Sequence, residues 1–185
     1  RLDPDLSPPA NMRESSIGML AYFKPALGLS LLREVILGPD RFDRAFKTYI
    51  ERWAYKHPTP DDFFRTMENV SGENLAWFWR GWFINNWRLD QGIRSVTYVE
   101  NDPKKGALVM IDNLEQMAMP VIAEIRTKSG KTERVKLPVE VWERNKSFVY
   151  RYRGTEEIES VTLDPDKVLP DHNPSNNTWP VKAAK

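Results

Sequence analysis

The 185-residue sequence contains no cysteine and only two histidines, His57 and His172. The lack of cysteine excludes disulfide bonds, thiolate catalysis and cysteine metal ligands, but it does not define the compartment. Neither histidine lies in a metal-ligand spacing, and no H-E-x-x-H motif occurs. His57 precedes Pro58 in a predicted loop, where a loop or capping role is the stronger interpretation. The sequence therefore predicts no self-contained metal site.

An excess of one charge and a long apolar run are also absent. The 27 basic and 26 acidic side chains leave a formal net charge of +1. This balance gives no broad field for nucleic acid, so we expect no nucleic-acid partner. No stretch approaches the roughly 18 apolar residues that a transmembrane helix needs, so no membrane span is expected.

The apolar periodicity changes near Gly92, from helical spacing to alternation, and predicts an α+β chain of two units. The chain begins at Arg1 without a methionine or a signal-peptide pattern, so we expect a piece of a longer protein. The predicted organisation is an extended lead-in at 1–14, a helical unit at 15–90, a β-sandwich at 91–168 and a tail at 169–185.

Four helices are predicted in the first unit from apolar residues at helical spacing and from capping residues. Pro25 lacks the amide donor of a regular helical turn, so we expect a kink or a restart there. Asp61 and Asp62 follow Thr59-Pro60, a strong helix start with acids near the positive end of the dipole. The helices are expected to end at Gly38, about Lys56, about Asn69 and Asn86.

Six strands are predicted in the second unit, because β-branched residues alternate with polar ones between turn-forming stretches. Strands of this length and spacing suggest an antiparallel β-sandwich. Trp142 is predicted to lie in its core together with Val121, Ile125, Val139 and Val149. The predicted strands are 93–100, 107–113, 121–127, 132–141, 147–153 and 158–163.

Two groups of residues invite a functional interpretation, and each has a simpler one. Asp61 and Asp62 could be paired catalytic acids, but their place in a first helical turn favours a role in helix stability. The tryptophans around the fourth helix could form a platform for sugar or peptide, but packing against several neighbours is the favoured explanation. These tryptophans are Trp77, Trp79, Trp82 and Trp87.

Several spaced motifs between Ser16 and Trp87 resemble a known family. Tyr22, one spacer and Lys24 precede the leucine-rich helix that ends at Leu37-Gly38. The further matching positions are Phe42, Tyr49, Thr59-x-x-Asp62-Phe63, Val70-Ser71-Gly72, Leu75 and Trp77-Phe78-x-x-Trp82-Phe83. Together they resemble the C-terminal half of the catalytic domain of gluzincin zinc aminopeptidases, the group of aminopeptidase N and leukotriene hydrolase.

The resemblance implies a catalytic role for Tyr22. In that family the matching tyrosine donates a hydrogen bond to the tetrahedral oxyanion opposite the zinc. An immunoglobulin-like β-sandwich often follows the catalytic domain, in agreement with the change of period at Gly92. The family commonly has glycine where this sequence has Pro25, and we expect that difference to change the helix entry without removing the role of Tyr22.

The zinc motif, the third glutamate ligand and the motif that holds the substrate amine all precede this tyrosine in the family, and none occurs in this chain. The resemblance implies a longer, zinc-dependent protein that cleaves N-terminal residues from peptides. The chain alone is expected to be inactive and to bind no zinc. Its expected partners are a peptide substrate and the missing N-terminal part of the same protein, in a secreted or periplasmic location.

Two alternatives remain open at this stage. Without the resemblance, Tyr22 near a helix kink would be a core residue with a satisfied hydroxyl. The whole chain could also be a non-enzymatic module, made of a helix bundle and a sandwich, that binds a protein or a glycan. An H-E-x-x-H motif upstream of Tyr22 would favour the enzyme.

Overall fold

A computed structural model of the chain describes residues 15 and 17–180, so the predicted lead-in at 1–14 lies outside the described residues. The chain divides into two compact units, one ending at Asn86 and the other beginning at Trp87. The first unit is helical and the second consists of antiparallel sheets. The predicted α+β class is thus confirmed. Within the described part of the chain, no helix combines the length and apolarity required to cross a membrane.

The first helix of the helical unit changes type along its length. Ile17 and Gly18 are helical and are followed by the π-helical segment Met19–Phe23, the α-helix α1 at Lys24–Leu31 and the π-helical segment Leu32–Ile36. A π-helical turn is wider than an α-helical turn, because its hydrogen bonds reach back five residues instead of four.

The sequence predicts a kink or a restart of the helix at Pro25. The structure shows this change in helix type instead. In an α-helix the ring of Pro25 would clash with the carbonyl of Ala21, four residues earlier. The preceding turn is instead π-helical, and the backbone N–H of Lys24 bonds to the C=O of Met19. Phe23 keeps helical dihedral angles, with φ −71° and ψ −47°. The helix therefore continues through Pro25.

Three more helices complete the helical unit among the described residues. The carboxylate of Asp62 accepts hydrogen bonds from the backbone N–H of Thr59 at 2.8 Å and from its hydroxyl at 2.7 Å. These two bonds lower the pKa of Asp62 and hold the start of α3. The helices are α2 (Pro39–Trp53), α3 (Pro60–Ser71) and α4 (Ala76–Phe78), which continues as the π-helical segment Trp79–Ile84.

Aromatic side chains form much of the core of the helical unit. The ring of Trp79 stacks on Phe64 with centroids 4.5 Å apart, and Phe78 stacks on Trp82 with centroids 6.1 Å apart. All four side chains are buried. For Trp79 and Trp82 the structure therefore supports core packing and not an exposed platform.

The sheet unit has seven strands within the described residues, arranged in two antiparallel sheets. They are β1 (Gln91–Tyr98), β2 (Ala107–Asn113), β3 (Val121–Thr127), β4 (Thr132–Leu137), β5 (Ser147–Tyr152), β6 (Ile158–Leu163) and β7 (Thr178–Trp179). One sheet has the order β1-β2-β5 and the other β4-β3-β6-β7. Alternate residues of both sheets, among them Val109 and Ala123, bury into one shared core.

Trp142 contributes to this core from its margin. Val121 and Ile125 are fully buried, as the alternation predicts. Trp142 is half-buried and packs against the same cluster. Its indole N–H donates a hydrogen bond of 2.9 Å to the C=O of Met119. The indole is thus held by a hydrogen bond and is partly open to solvent.

The sequence prediction is wrong for Val149 and for the end of β4. Val149 is 44% exposed, because Tyr152 faces the core and the pleat turns Val149 to the opposite side. The strand predicted at 132–141 ends at Leu137, and Val139–Trp142 form a 3₁₀ turn instead. β7, which the sequence did not predict, pairs with β6 inside the segment that was predicted as a tail.

Candidate functional site

Tyr22 lies on the surface of the helical unit, in the π-helical segment before α1. Its side chain is 72% exposed, and that of the next residue, Phe23, is 70% exposed. π-helical turns are rare and are often found at functional sites. At this exposure Tyr22 is not a core residue of the described chain, and its hydroxyl is accessible to a ligand.

Tyr22 belongs to a group of exposed apolar side chains, which we call the Tyr22 face: Ile17, Met19, Tyr22, Phe23 and Leu27. No charged residue occurs in the sequence from Ile17 to Phe23. Single exposed apolar residues are common on protein surfaces, but several of them close together in the sequence can mark a contact surface. Lys24 is the one charged residue between Ile17 and Leu27.

The side chain of Trp82 contacts the helix that carries Tyr22. The indole N–H of Trp82 donates a hydrogen bond of 3.0 Å to the backbone C=O of Lys24, two residues after Tyr22. The ammonium group of Lys24 lies 5.7 Å from the centroid of the Trp82 ring, within the range of a cation–π contact. The same indole thus contacts the main chain and the side chain of Lys24.

Gly28, one turn further along α1, lets the indole approach the helix backbone. A Cβ atom at Gly28 would lie 2.5 Å from Nε1 and 2.8 Å from Cδ1 of Trp82. Neither distance is compatible with van der Waals contact, so a larger residue would displace the indole or the helix. The lack of a side chain at Gly28 therefore lets the indole of Trp82 come close enough to bond to Lys24.

The other candidate residues have structural roles or lie apart. Asp62 caps α3 through Thr59, and the ring Nδ1 of His172 lies 3.0 Å from the C=O of Leu89 in the sheet unit. His57 is exposed in the loop before α3. In the part of the chain that the structure describes, no three His, Cys, Asp or Glu side chains are grouped so as to hold a metal ion. These residues do not fit a zinc site.

The contact between Trp82 and Lys24 was not predicted from the sequence. The two residues are 58 positions apart, so no local pattern connects them. One sequence signal was available: Gly28 interrupts a leucine-rich helix, and a glycine in such a place often marks the close approach of another group.

Comparison with known proteins relates this combination of units to aminopeptidases. No protein-family model matches the sequence. The chain is 33% identical over 69 residues to aminopeptidase M1-D of Oryza sativa subsp. japonica, a match that covers 36% of this chain and 8% of the rice protein. Over part of its length the chain is therefore similar, weakly but consistently, to M1 aminopeptidases.

A solved structure supports the same relation at the level of the fold. The aminopeptidase A of Legionella pneumophila, solved in complex with aspartic acid, matches 85% of this chain with a TM-score of 0.62 and 15% sequence identity. This chain covers 18% of the Legionella chain. It thus spans less than a fifth of the length of either protein.

Proposed function

We propose that this chain is the C-terminal part of a zinc-dependent metallopeptidase that removes residues from the N-terminus of peptides. In this proposal the helical unit completes a gluzincin-type catalytic domain, and the sheet unit is an immunoglobulin-like sandwich. The observation that carries the proposal is the partial similarity to two aminopeptidases, combined with a tyrosine that is exposed where the family motif has its catalytic tyrosine.

Tyr22 would act on the oxygen of the peptide bond that is cleaved. When water adds to the carbonyl carbon, the carbonyl oxygen gains a negative charge. A phenol is protonated at neutral pH and is a good hydrogen-bond donor, so Tyr22 can stabilise that oxygen as its charge develops. Because the charge exists only in the transition state and the tetrahedral intermediate, the hydrogen bond would accelerate the reaction without tightening substrate binding.

The zinc that the resemblance implies would be bound outside this chain. The described residues contain no ligand group for it. The proposal therefore assigns the zinc ligands, and the groups that hold the substrate amine, to the preceding part of a longer polypeptide.

The Tyr22 face would contact that preceding part. Its apolar side chains, such as Phe23 and Leu27, are exposed in the described chain, and their burial against another segment would be favourable by about 25 cal/mol per Å² of apolar surface. In this arrangement Tyr22 would lie where the two parts of the catalytic domain meet.

The test is the Tyr22→Phe substitution in the longer protein that contains this chain, assayed on an aminoacyl substrate. Loss of one oxyanion donor should lower kcat roughly 100- to 1000-fold and leave KM almost unchanged. The melting temperature should change little, since phenylalanine keeps the ring and its packing and only the hydroxyl is lost. Tyr55→Phe is a matched control, because Tyr55 is a fully exposed tyrosine of the same unit.

Wild-type kcat in Tyr22→Phe would remove Tyr22 from the mechanism. If the longer protein cleaves no aminoacyl substrate but still requires the Tyr22 face to bind a protein or a glycan, the non-enzymatic module is the correct interpretation.

A further inference from the structure

Trp82 is the residue that connects the helix of Tyr22 to the aromatic core. Its side chain is 7% exposed, and its ring lies nearly parallel to that of Phe78, with an interplanar angle of 6°. Phe78 itself is completely buried. The indole is therefore packed into the core on the side away from the Tyr22 helix.

From this fixed position Trp82 contacts the helix at two successive turns. Its N–H donates to the C=O of Lys24, and its ring edge lies against the backbone of Gly28. A hydrogen bond fixes the distance and the direction of a contact, while close packing excludes a shift toward the core. Together the two contacts hold the helix against the indole at Lys24 and at Gly28.

We propose that Trp82 is a positioning residue for the reaction, and that it fixes the direction in which the Tyr22 side chain leaves the helix. This inference rests on the proposed function of Tyr22. Tyr22 lies two residues from Lys24, so a rotation of the helix about its axis at Lys24 would rotate Tyr22 by a similar angle. The phenol hydroxyl lies further from the axis than the backbone and would therefore move through a longer distance. Displacement of a catalytic group by about 1 Å can cost roughly 100-fold in rate.

The test is a double-mutant cycle in the longer protein, with Trp82→Phe, Tyr22→Phe and the double variant. Trp82→Phe keeps an aromatic ring in the core and removes the donor to Lys24. It should lower kcat roughly 10- to 100-fold with little change in KM. In the Tyr22→Phe background, Trp82→Phe should have no further effect on kcat, because the hydroxyl that it positions is already absent.

Trp79→Phe is the matched control. Trp79 is a buried tryptophan of the same π-helical segment, and among the described residues its indole N–H has no acceptor. Its substitution removes the same atoms from the same core, where the Trp79 ring packs against Phe63, Phe64, Phe78 and Phe83. It should reduce the stability of the protein and leave kcat as in the wild type.

Gly28→Ala tests the same contact without changing Trp82. The added Cβ would lie 2.5 Å from Nε1 of Trp82, so the indole or the helix must move. The expected result is again a lower kcat in a folded protein, with no further loss in the Tyr22→Phe background. Melting curves of every variant separate a fall in kcat from a loss of folded protein.

A direct readout of position is available in the 185-residue chain, without catalysis. Amide hydrogen exchange at Lys24 and the preceding π-helical turn should become faster in Trp82→Phe and not in Trp79→Phe.

Different results would contradict the catalytic role of Tyr22 and the positioning role of Trp82. If Tyr22→Phe retains wild-type kcat, the proposed function of Tyr22 is wrong. If Tyr22→Phe lowers kcat but Trp82→Phe does not, or if the two effects multiply, Tyr22 remains catalytic and the positioning role of Trp82 is overturned. Unchanged hydrogen exchange in Trp82→Phe would overturn it as well.

Discussion

The Tyr22 face of the helical unit differs from an exposed apolar position of the sheet unit in the charges beside it. In the sheet unit Leu108 of β2 is 37% exposed and is paired with Arg151 of β5. In the helical unit the Tyr22 face contains no charged residue from Ile17 to Phe23. Mixed surfaces are typical of solvated faces, whereas uncharged apolar groups are typical of contact surfaces.

This difference agrees with the proposed origin of the two units. A sandwich that follows a catalytic domain has its own core and needs no further cover on its outer faces. A helical unit that is only part of a catalytic domain must leave exposed the face that completes the domain. Substitutions on the Tyr22 face and in the two cores should therefore differ in their effects on stability.

The largest effect on stability is expected for Phe78→Ala in the helical unit. Phe78 is completely buried and contacts four aromatic rings. Emptying such a site should reduce the free energy of unfolding by about 3–5 kcal/mol. Phe23→Ala, a substitution of the same type on the Tyr22 face, should change it by less than about 0.5 kcal/mol. Urea denaturation measures both, and equal effects would show that the Tyr22 face is buried in solution.

A smaller effect is expected for Trp142→Ala in the sheet unit. Because Trp142 is only half-buried, we expect a loss of about 2–3 kcal/mol, below the range for a fully buried tryptophan. Trp142→Phe keeps much of the packing and loses the hydrogen bond to Met119, which should cost about 1 kcal/mol. An unchanged denaturation midpoint in Trp142→Ala would mean that the indole does not contribute to the core.

The bounds of the strands could be predicted from the sequence better than the side of the sheet on which each residue lies. The stretches 107–113, 121–127 and 158–163 have their predicted bounds, because alternation and turn residues are local signals. The face of Val149 depends on the pairing of β5 with β2, which local alternation does not determine. β7 has only two residues and depends on β6 for its pairing, so no sequence period could have revealed it.

The candidate site also has parts that the sequence predicts and parts that only the structure shows. Tyr22 could be proposed from its motif, because Tyr22-x-Lys24 lies at a fixed distance from other motif residues. The contact that supports it, from Trp82 to Lys24, joins two distant parts of the chain and needed the structure. The π-helical turn at Met19–Phe23 also needed the structure, since the sequence around Pro25 predicted only an interruption.

The smallest effect on stability concerns the start of α3. Hydrogen bonds from Thr59 lower the pKa of Asp62 below its ordinary value of 3.8. Because the pKa is lower in the folded than in the unfolded protein, the charged carboxylate stabilises the fold at pH values above the unfolded pKa. This stability is lost as the pH falls through the folded pKa. Asp62→Asn should therefore reduce stability at pH 7 and have less effect at pH 3.

Melting curves at the two pH values measure this difference. Thr59→Ser keeps both donors to Asp62 and should retain the wild-type dependence on pH, while Thr59→Val loses the hydroxyl donor and should retain only part of it. An equal loss of stability at pH 7 and pH 3 in Asp62→Asn would contradict the role of the charged carboxylate.

The most direct measurement of the central claim is the affinity of the longer protein for a tetrahedral phosphinic peptide analogue, with and without the Tyr22 hydroxyl. If Tyr22 stabilises the oxyanion, Tyr22→Phe should weaken this analogue roughly 100- to 1000-fold. The same substitution should leave the affinity for a planar, uncleaved peptide nearly unchanged. Equal effects on the two ligands, or no effect on either, would contradict the assignment of Tyr22 as the oxyanion donor.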